Sequence, residues 1–286
     1  MNSITPLNWR FFRTYPHWLP IFLWNRFRPV KISGVTITKR RAKLLHAHIT
    51  LKSFKNIASV IDDHVVMRIG DYELISSAYD ESFLMSFEEL VLGDEYKIPG
   101  WSYEGKTVLD IGANIGDTAL YFASKGVKRV FALEPFADPF KMLLRNIEHN
   151  RLASIITPIR KGLGSEEAIL EVPYRVNASG GNSITLRQDN SIKPAYDNIE
   201  TVATLTPDTL FQMTGRVDLI KMDCEGCEYE LLLCDDFLEK LNPEQIYIEY
   251  HRGSDDILSW LSQNSYAVDN ILVKTENVGI VLASRC

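Results

Sequence analysis

The 286-residue sequence lacks any unbroken apolar stretch of the roughly eighteen residues that a membrane-spanning helix requires. Its longest N-terminal apolar run, Trp18 to Trp24, is interrupted by Pro20. Cysteine is also scarce, because the four cysteines at positions 224, 227, 234 and 286 are too few and too clustered for a disulfide framework. We therefore expect neither an integral membrane protein nor a disulfide-stapled secreted domain, and we predict a cytoplasmic location.

Acidic residues are missing from residues 1–61, which contain eleven Lys or Arg and no Asp or Glu, whereas the remainder has 20 basic and 37 acidic residues. Three interpretations stay open. The basic segment docks on the acidic body, or its aromatic and basic residues within 1–30 make a peripheral membrane contact, or it binds nucleic acid.

From Gly105 onward the sequence alternates between apolar runs with strand character and segments with helical periodicity. The pattern predicts strands at 107–111, 129–133, 155–160, 219–222 and 246–250, and helices at about 116–125, 137–150, 227–240 and 254–263. Runs at 267–273 and 278–283 predict a closing antiparallel hairpin. The fold class is therefore α/β, a doubly wound and mostly parallel sheet. We expect an N-terminal extension at 1–98, with a hairpin around Gly70-Asp71, and a cofactor-binding domain at 99–286.

Residues 108–118, VLDIGANIGDT, predict a buried strand, a tight turn and the start of a helix. About twenty residues later Glu134 ends the next strand, where a carboxylate can accept hydrogen bonds from ribose hydroxyls. Gly112, Asn114 and Gly116 fall at every second position, unlike the glycine spacing of dinucleotide sites. Asp110 within the motif disfavours an anion and favours a sulfonium cation that carries an ammonium group. The pattern favours S-adenosylmethionine over NAD.

A second group of acids follows the strand at 219–222, namely Asp223, Glu225 and Glu228. The carboxyl ends of parallel strands line one crevice, so we expect Asp223 and Glu225 to face the same cleft as Gly112. Glu249 and His251 come at the end of the next strand, where we expect both to face the cleft, and His251 is a candidate general base. We predict Asp223, Glu225 and His251 as catalytic residues, with Asp223 also at the cofactor. No metal ligands are assigned, and metal dependence is left open.

Two further features have structural interpretations. Cys224 and Cys227 form a Cys-x-x-Cys pair without a second pair or a histidine pair, so we interpret them as packing residues. An insertion at 168–204 holds two extended segments around Asn177 to Ser183, and it is either a simple hairpin connection or a substrate-contacting loop.

The chain resembles the FkbM family of S-adenosylmethionine-dependent methyltransferases. The resemblance lies in residues 108–118, in Ala132-Leu-Glu-Pro135, in Thr204-Leu-Thr-Pro-Asp208 and in residues 218–228, and it covers about 100–252. It implies the class I methyltransferase variant of the Rossmann-like fold, of which a C-terminal hairpin is typical, and methyl transfer to oxygen. The chain departs from the family at Cys224 and Cys227, where small aliphatic residues are more common, and in residues 1–60.

We therefore expect O-methylation of a hydroxyl on a sugar, glycolipid or related small molecule, with a glycan or lipid-linked acceptor as the partner. Two rivals remain. One is an RNA methyltransferase, favoured by the basic segment at 1–61, and the other is a non-catalytic cofactor-binding interaction module.

Overall fold

The computed structural model describes residues 64–77, 86, 89–90, 93–175, 182–184, 198–232, 234 and 236–286, and the backbone of 30–32, 35–37 and 58–61. The sequence also predicts short helical or irregular pieces at 1–30 and helices at 39–55 and 83–92, and these segments lie wholly or mostly outside the described residues. No helix within the described ranges is long and apolar enough to cross a bilayer.

The strands of the described ranges are β1 (Val30–Ile32), β2 (Val35–Ile37), β3 (Ala58–Ile61), β4 (His64–Ile69), β5 (Tyr72–Ser77), β6 (Thr107–Ile111), β7 (Arg129–Leu133), β8 (Ile156–Ile159), β9 (Gly162–Leu163), β10 (Ile169–Tyr174), β11 (Asn198–Leu205), β12 (Leu219–Met222), β13 (Gln245–Tyr250), β14 (Tyr266–Val273) and β15 (Gly279–Arg285). The helices are α1 (Asp117–Ser124), α2 (Ala137–His149), α3 (Pro207–Thr214), α4 (Glu228–Leu231), α5 (Phe237–Leu241) and α6 (Asp255–Gln263).

A seven-stranded sheet in the order β14-β15-β13-β12-β6-β7-β8 organises the fold. The strands from β13 to β8 are parallel, whereas β15 pairs antiparallel with both β13 and β14. This arrangement confirms the predicted α/β class with its C-terminal antiparallel hairpin. The carboxyl ends of β6, β7, β12 and β13 meet at one edge of the sheet. The polar motifs that follow these strands in the sequence therefore lie at that edge.

Both faces of the central strands are covered, which is why β12 and β6 read as apolar runs. One hydrophobic cluster packs α1 and α2 on the sheet, with Leu120 and Leu143 fully buried. The other packs α3 to α6 on the opposite face, around Leu210, Phe237 and Leu261.

The helix predicted at 227–240 is wrong in one respect, because the structure has two short helices there, α4 and α5. The physical reason is that the apolar residues would not lie on one face of a continuous helix. In one continuous helix Phe237 would point about 120° away from Leu231, since each residue turns the helix by about 100°. Because the chain breaks between α4 and α5, Leu231 and Phe237 can both turn into the core, and each is 0% exposed.

The predicted hairpin around Gly70-Asp71 is confirmed as β4 and β5, and it packs on the helices rather than standing apart. Val65, Met67 and Leu74 belong to the cluster that contains Leu120. The predicted boundary between residues 98 and 99 stays a prediction.

Two asparagines one turn apart, Asn146 on α2 and Asn150 at its C-terminal cap, bind the edge of β5. Asn146, which is fully buried, accepts from the backbone N–H of Ile75 at 2.8 Å and donates to the carbonyls of Ile75 and Ile115 at 3.0 and 2.8 Å. Asn150 makes the corresponding pair of bonds with Glu73 at 2.8 Å each, at the surface. Asn146 therefore connects the small hairpin, helix α2 and the turn that contains Ile115.

We expect Asn146→Ala to lower the free energy of unfolding by about 3 kcal/mol, because it leaves buried backbone groups of Ile75 without partners. Asn150→Ala removes the corresponding hydrogen bonds at the surface, where water can replace them. We expect it to lower the free energy of unfolding by about 1 kcal/mol or less. Urea unfolding of both variants measures the difference. Equal losses would contradict the role of Asn146 as a buried connector.

Candidate functional site

The turn after β6 has backbone conformations that residues with a Cβ atom rarely adopt. Gly112 has a φ of 79° and Gly116, at the start of α1, a φ of 89°. A Cβ on Gly112 would lie 1.8 Å from the carbonyl oxygen of Asp223, and one on Gly116 would lie 2.6 Å from Cδ1 of Leu143. The two glycines thus let the turn approach the neighbouring strand end and α2 closely.

A buried ion pair lies directly beneath this turn. Nζ of Lys221 is 3.2 Å from Oδ1 of Asp110, and it donates to the carbonyl of Gly112 at 2.9 Å. The two side chains are 2% and 0% exposed, and Thr118 Oγ1 donates to Asp110 at 2.6 Å. Burial alone would lower the pKa of Lys221, but Asp110 and the other nearby carboxylates outweigh it and raise the pKa above its ordinary value. Lys221 is therefore a cation inside the fold.

Sequence reasoning missed Lys221, although a signal was present. The ammonium group of a lysine inside a four-residue buried strand cannot be solvated by water. Its charge therefore has to be balanced by an anionic neighbour. The sheet supplies that neighbour, because Lys221 is in register with Asp110 on the adjacent strand.

Glu134 lies at the end of β7 and connects the turn to the start of α2. Its carboxylate accepts from the backbone N–H of Asn114 at 3.0 Å and from that of Phe136 at 2.8 Å. Burial raises the pKa of Glu134 to about 8, and the two backbone donors oppose that rise. Asn114, with a φ of 47°, presents a buried Oδ1 that has no hydrogen-bond partner among the described residues.

Three carboxylates surround His251 beyond β12 and β13. Nδ1 of His251 is 3.1 Å from Glu228, and Nε2 is 3.8 Å from Asp223 and 3.7 Å from Glu225. Burial would lower the pKa of His251, but the hydrogen bond to Glu228 and the charges of all three carboxylates raise it to about 9. His251 is therefore an imidazolium at neutral pH. Of the three carboxylates around it, those of Asp223 and Glu225 line the cleft.

The same side chains have a spacing that suits a cation. One ligand atom from each of Asp223, Glu225 and His251 lies within 4.8 Å of the others. These three side chains, to which the sequence analysis assigned no metal, could therefore hold a divalent cation.

The turn between β12 and α4 is closed by a disulfide between Cys224 and Cys227. The interpretation of these cysteines as packing residues is therefore corrected. The physical reason is local geometry, since positive φ values at Glu225 (59°) and Gly226 (123°) fold the turn back until the two Cα atoms are 5.5 Å apart. Arg252 also holds this turn, donating to the carbonyl of Gly226 at 3.1 Å.

Glu249 does not belong to the cleft wall. It forms an ion pair with Lys274 at 3.0 Å, and Lys274 also lies 3.3 Å from Glu95 and 3.5 Å from Glu89. Burial, then the charge of Asp223, raises the pKa of Glu249 to about 7, although Lys274 opposes that rise. This cluster adjoins the acids around His251.

One cleft brings most of the predicted site residues together. Its wall contains Gly112, Asn114, Glu134, Asp223 and Glu225. The predicted residues Asp110, Gly116 and His251 do not line the cleft, although His251 contacts two of its wall residues, Asp223 and Glu225.

The wall also contains residues that sequence reasoning did not assign, including Phe136, Leu163, Asn182 and Ile184. Asn182 is held by Arg175, whose backbone N–H donates to Oδ1 at 2.9 Å and whose carbonyl accepts from Nδ2 at 3.1 Å. The segment 182–184 thus reaches the cleft from the predicted insertion, whose flanking segments pair as β10 and β11.

We expect Gly112→Ala to abolish binding of S-adenosylhomocysteine, because the new Cβ displaces the carbonyl of Asp223. Gly100→Ala is the matched control, since Gly100 has a φ of 75° but nothing within 4 Å of its added Cβ. The control should lose about 1–2 kcal/mol of stability from backbone strain and keep normal affinity. Calorimetric titration and thermal unfolding measure both effects. Normal affinity in a folded Gly112→Ala protein would contradict this geometry.

Residues 110–268 match the family described as Methyltransferase FkbM domain. Methyltransferase sdnD of Sordaria araneosa is 26% identical over an alignment of 151 positions, and the match covers 44% of this chain and 58% of that relative. The chain thus spans somewhat more than half the length of the relative.

Solved structures with similar folds include methyltransferase FkbM from Methylobacillus flagellatus KT, at 17% identity and a TM-score of 0.46, covering 94% of this chain and 60% of the other. Another is TYW2 of M. jannaschii in complex with AdoMet, at 14% identity and a TM-score of 0.44, covering 79% and 87%. The family match, which spans more than half of the chain, confirms the family and the cofactor that the sequence predicts: the chain belongs to the methyltransferase FkbM domain family, and its cofactor is S-adenosylmethionine.

Proposed function

We propose that the protein transfers the methyl group of S-adenosylmethionine to a hydroxyl of a sugar, a glycolipid or a related small molecule. The observation that carries this proposal is the convergence of Gly112, Asn114 and Glu134 with Asp223 and Glu225 on one cleft. The first three residues suit a nucleoside, and the last two suit a hydroxyl that must lose its proton.

The residues of the cleft fit the cofactor by their chemistry. The carboxylate of Glu134 is placed to accept hydrogen bonds from ribose hydroxyls, and the unpaired Oδ1 of Asn114 needs a donor. Phe136, Leu163 and Ile184 offer an apolar surface beside Glu134 for a planar base. When bound, the cofactor supplies a methyl group that is already activated by the positive charge on its sulfur.

Because the donor is activated in this way, the protein chiefly has to align the acceptor and remove its proton. We assign proton acceptance to Asp223 or Glu225, which line the cleft. His251 is the cation beside these carboxylates, with Nε2 at 3.8 Å from Asp223 and 3.7 Å from Glu225. Glu228 holds its ring through Nδ1 at 3.1 Å.

The charge of this region favours a neutral or cationic acceptor. Asp223, Glu225 and Glu228 surround His251, and Glu249 is close enough to Asp223 for their charges to interact. A phosphate-rich acceptor such as RNA would place further negative charge beside these groups. We therefore favour a glycan or lipid-linked hydroxyl, and methylation of RNA is an outcome that the test below can detect.

Calorimetric titration with S-adenosylhomocysteine, with NAD as the control, tests the cofactor assignment. We expect micromolar binding of the first and none of the second. Incubation with methyl-labelled S-adenosylmethionine should then label glycan or lipid fractions and leave RNA unlabelled. Label in RNA alone would overturn the acceptor class, and binding with no label in any pool would favour the non-catalytic module.

The pH dependence of binding tests the role of Glu134. Its pKa in the free protein is about 8, and ribose hydroxyls donate to the charged form, so binding lowers this pKa. Binding should therefore release protons below pH 8, and the affinity should rise with pH until about 8 and then level off. Glu134→Gln cannot ionise and should lose this slope. An identical slope in the variant would contradict the assignment.

A further inference from the structure

The disulfide of this protein lies in the wall of the cofactor cleft. Cys224 and Cys227 both line the cleft, and Asp223 and Glu225 flank Cys224 along the chain. Whatever changes the Cys224–Cys227 bond therefore changes the turn that presents the two proposed proton acceptors.

The bond is poorly placed to act as a general structural staple. The cysteines are only three positions apart in the sequence, and a short loop restricts the unfolded chain little. The turn has other attachments as well. The backbone N–H of Cys224 donates to Glu228 at 3.1 Å, and Arg252 binds the carbonyl of Gly226 at 3.1 Å. The disulfide therefore constrains the turn at the cleft and contributes little to the stability of the rest of the fold.

We propose that Cys224 and Cys227 form a redox-active pair whose oxidation state is linked to cofactor binding. The proposal rests on the cofactor site of the proposed function. The disulfide form holds the turn in the conformation that lines the cleft, with Glu225 at a φ of 59°. The dithiol form releases one constraint on that strained residue, and the cofactor then has to order the turn when it binds.

The two sulfurs differ in access, which sets the order of the exchange. Cys224 is half-buried at the cleft, whereas Cys227 is 1% exposed. A thiolate of a dithiol reductant, of the thioredoxin class, attacks Sγ of Cys224 and forms a mixed disulfide. The bond between the cysteines breaks, and Cys227 leaves as a thiolate that takes up a proton. The second thiol of the reductant then releases Cys224 as a thiol. The protein disulfide gains two electrons, and the reductant becomes a disulfide.

Thermodynamic reciprocity makes the linkage measurable from either side. If oxidation strengthens cofactor binding by some factor, saturating cofactor stabilises the disulfide by the same factor. A tenfold effect on binding corresponds to a shift of about 30 mV in the reduction potential of a two-electron couple.

The experiment equilibrates the purified protein in dithiothreitol redox buffers, with and without saturating S-adenosylhomocysteine, and counts trapped thiols by mass spectrometry. We expect the potential of Cys224–Cys227 to become more negative when ligand is bound, by about 20–40 mV. Calorimetry should give a dissociation constant about five- to twentyfold larger for the reduced protein. Reduction by a dithiol should also be slower with ligand present, because the ligand covers the cleft at Cys224.

Cys234→Ala is the matched control, since Cys234 takes no part in the disulfide between Cys224 and Cys227. It should leave the shift unchanged. Cys224→Ser/Cys227→Ser should bind with the affinity of the reduced wild type and be insensitive to dithiol. If that variant does not fold, the wild-type measurements decide alone. A pair that never oxidises, or a potential that ligand does not shift, overturns this inference and leaves the proposed function standing. Absence of binding in both redox states overturns both.

Discussion

The ion pair between Lys221 and Asp110 is the interaction on which the cofactor site depends. A lysine and an aspartate with almost no solvent exposure are tolerated only because their charges balance, and because Thr118 donates a hydrogen bond to Asp110 and the Gly112 carbonyl accepts one from Lys221. Those additional bonds matter most for function. Through the carbonyl of Gly112, the ammonium group joins the end of β12 to the turn after β6.

The rest of the site extends outward from this pair. With the turn held, the backbone N–H of Asn114 reaches Glu134 on the neighbouring strand end. On the other side, Asp223 follows Lys221 by two residues and begins the acidic edge that surrounds His251. One buried cation thus supports the nucleoside end of the cleft, and a second, His251, balances the end where we place the acceptor.

Features that depend on neighbouring residues could be predicted from the sequence, whereas contacts between distant segments could not. Strands β6, β7, β12 and β13 were predictable because strands buried on both faces read as apolar runs, and their shared edge followed from parallel pairing. The pairing of Lys221 with Asp110 needed the register of two strands more than a hundred residues apart. The break before Phe237 and the contact of Asn182 with the cleft depend on packing from distant elements. The disulfide depends on backbone angles at Glu225 and Gly226, which no periodicity reports.

A double-mutant cycle on Lys221 and Asp110 tests the central claim most directly. Lys221→Met alone leaves a buried carboxylate uncompensated, and we predict a loss of about 3–5 kcal/mol of stability. Adding Asp110→Asn should recover much of that loss, because the amide still accepts from Thr118. Affinity for S-adenosylhomocysteine should stay at least about tenfold weaker in the stable double variant, since the ammonium group of Lys221 no longer holds the carbonyl of Gly112. Wild-type affinity in the double variant, or strictly additive stability losses, would contradict the account.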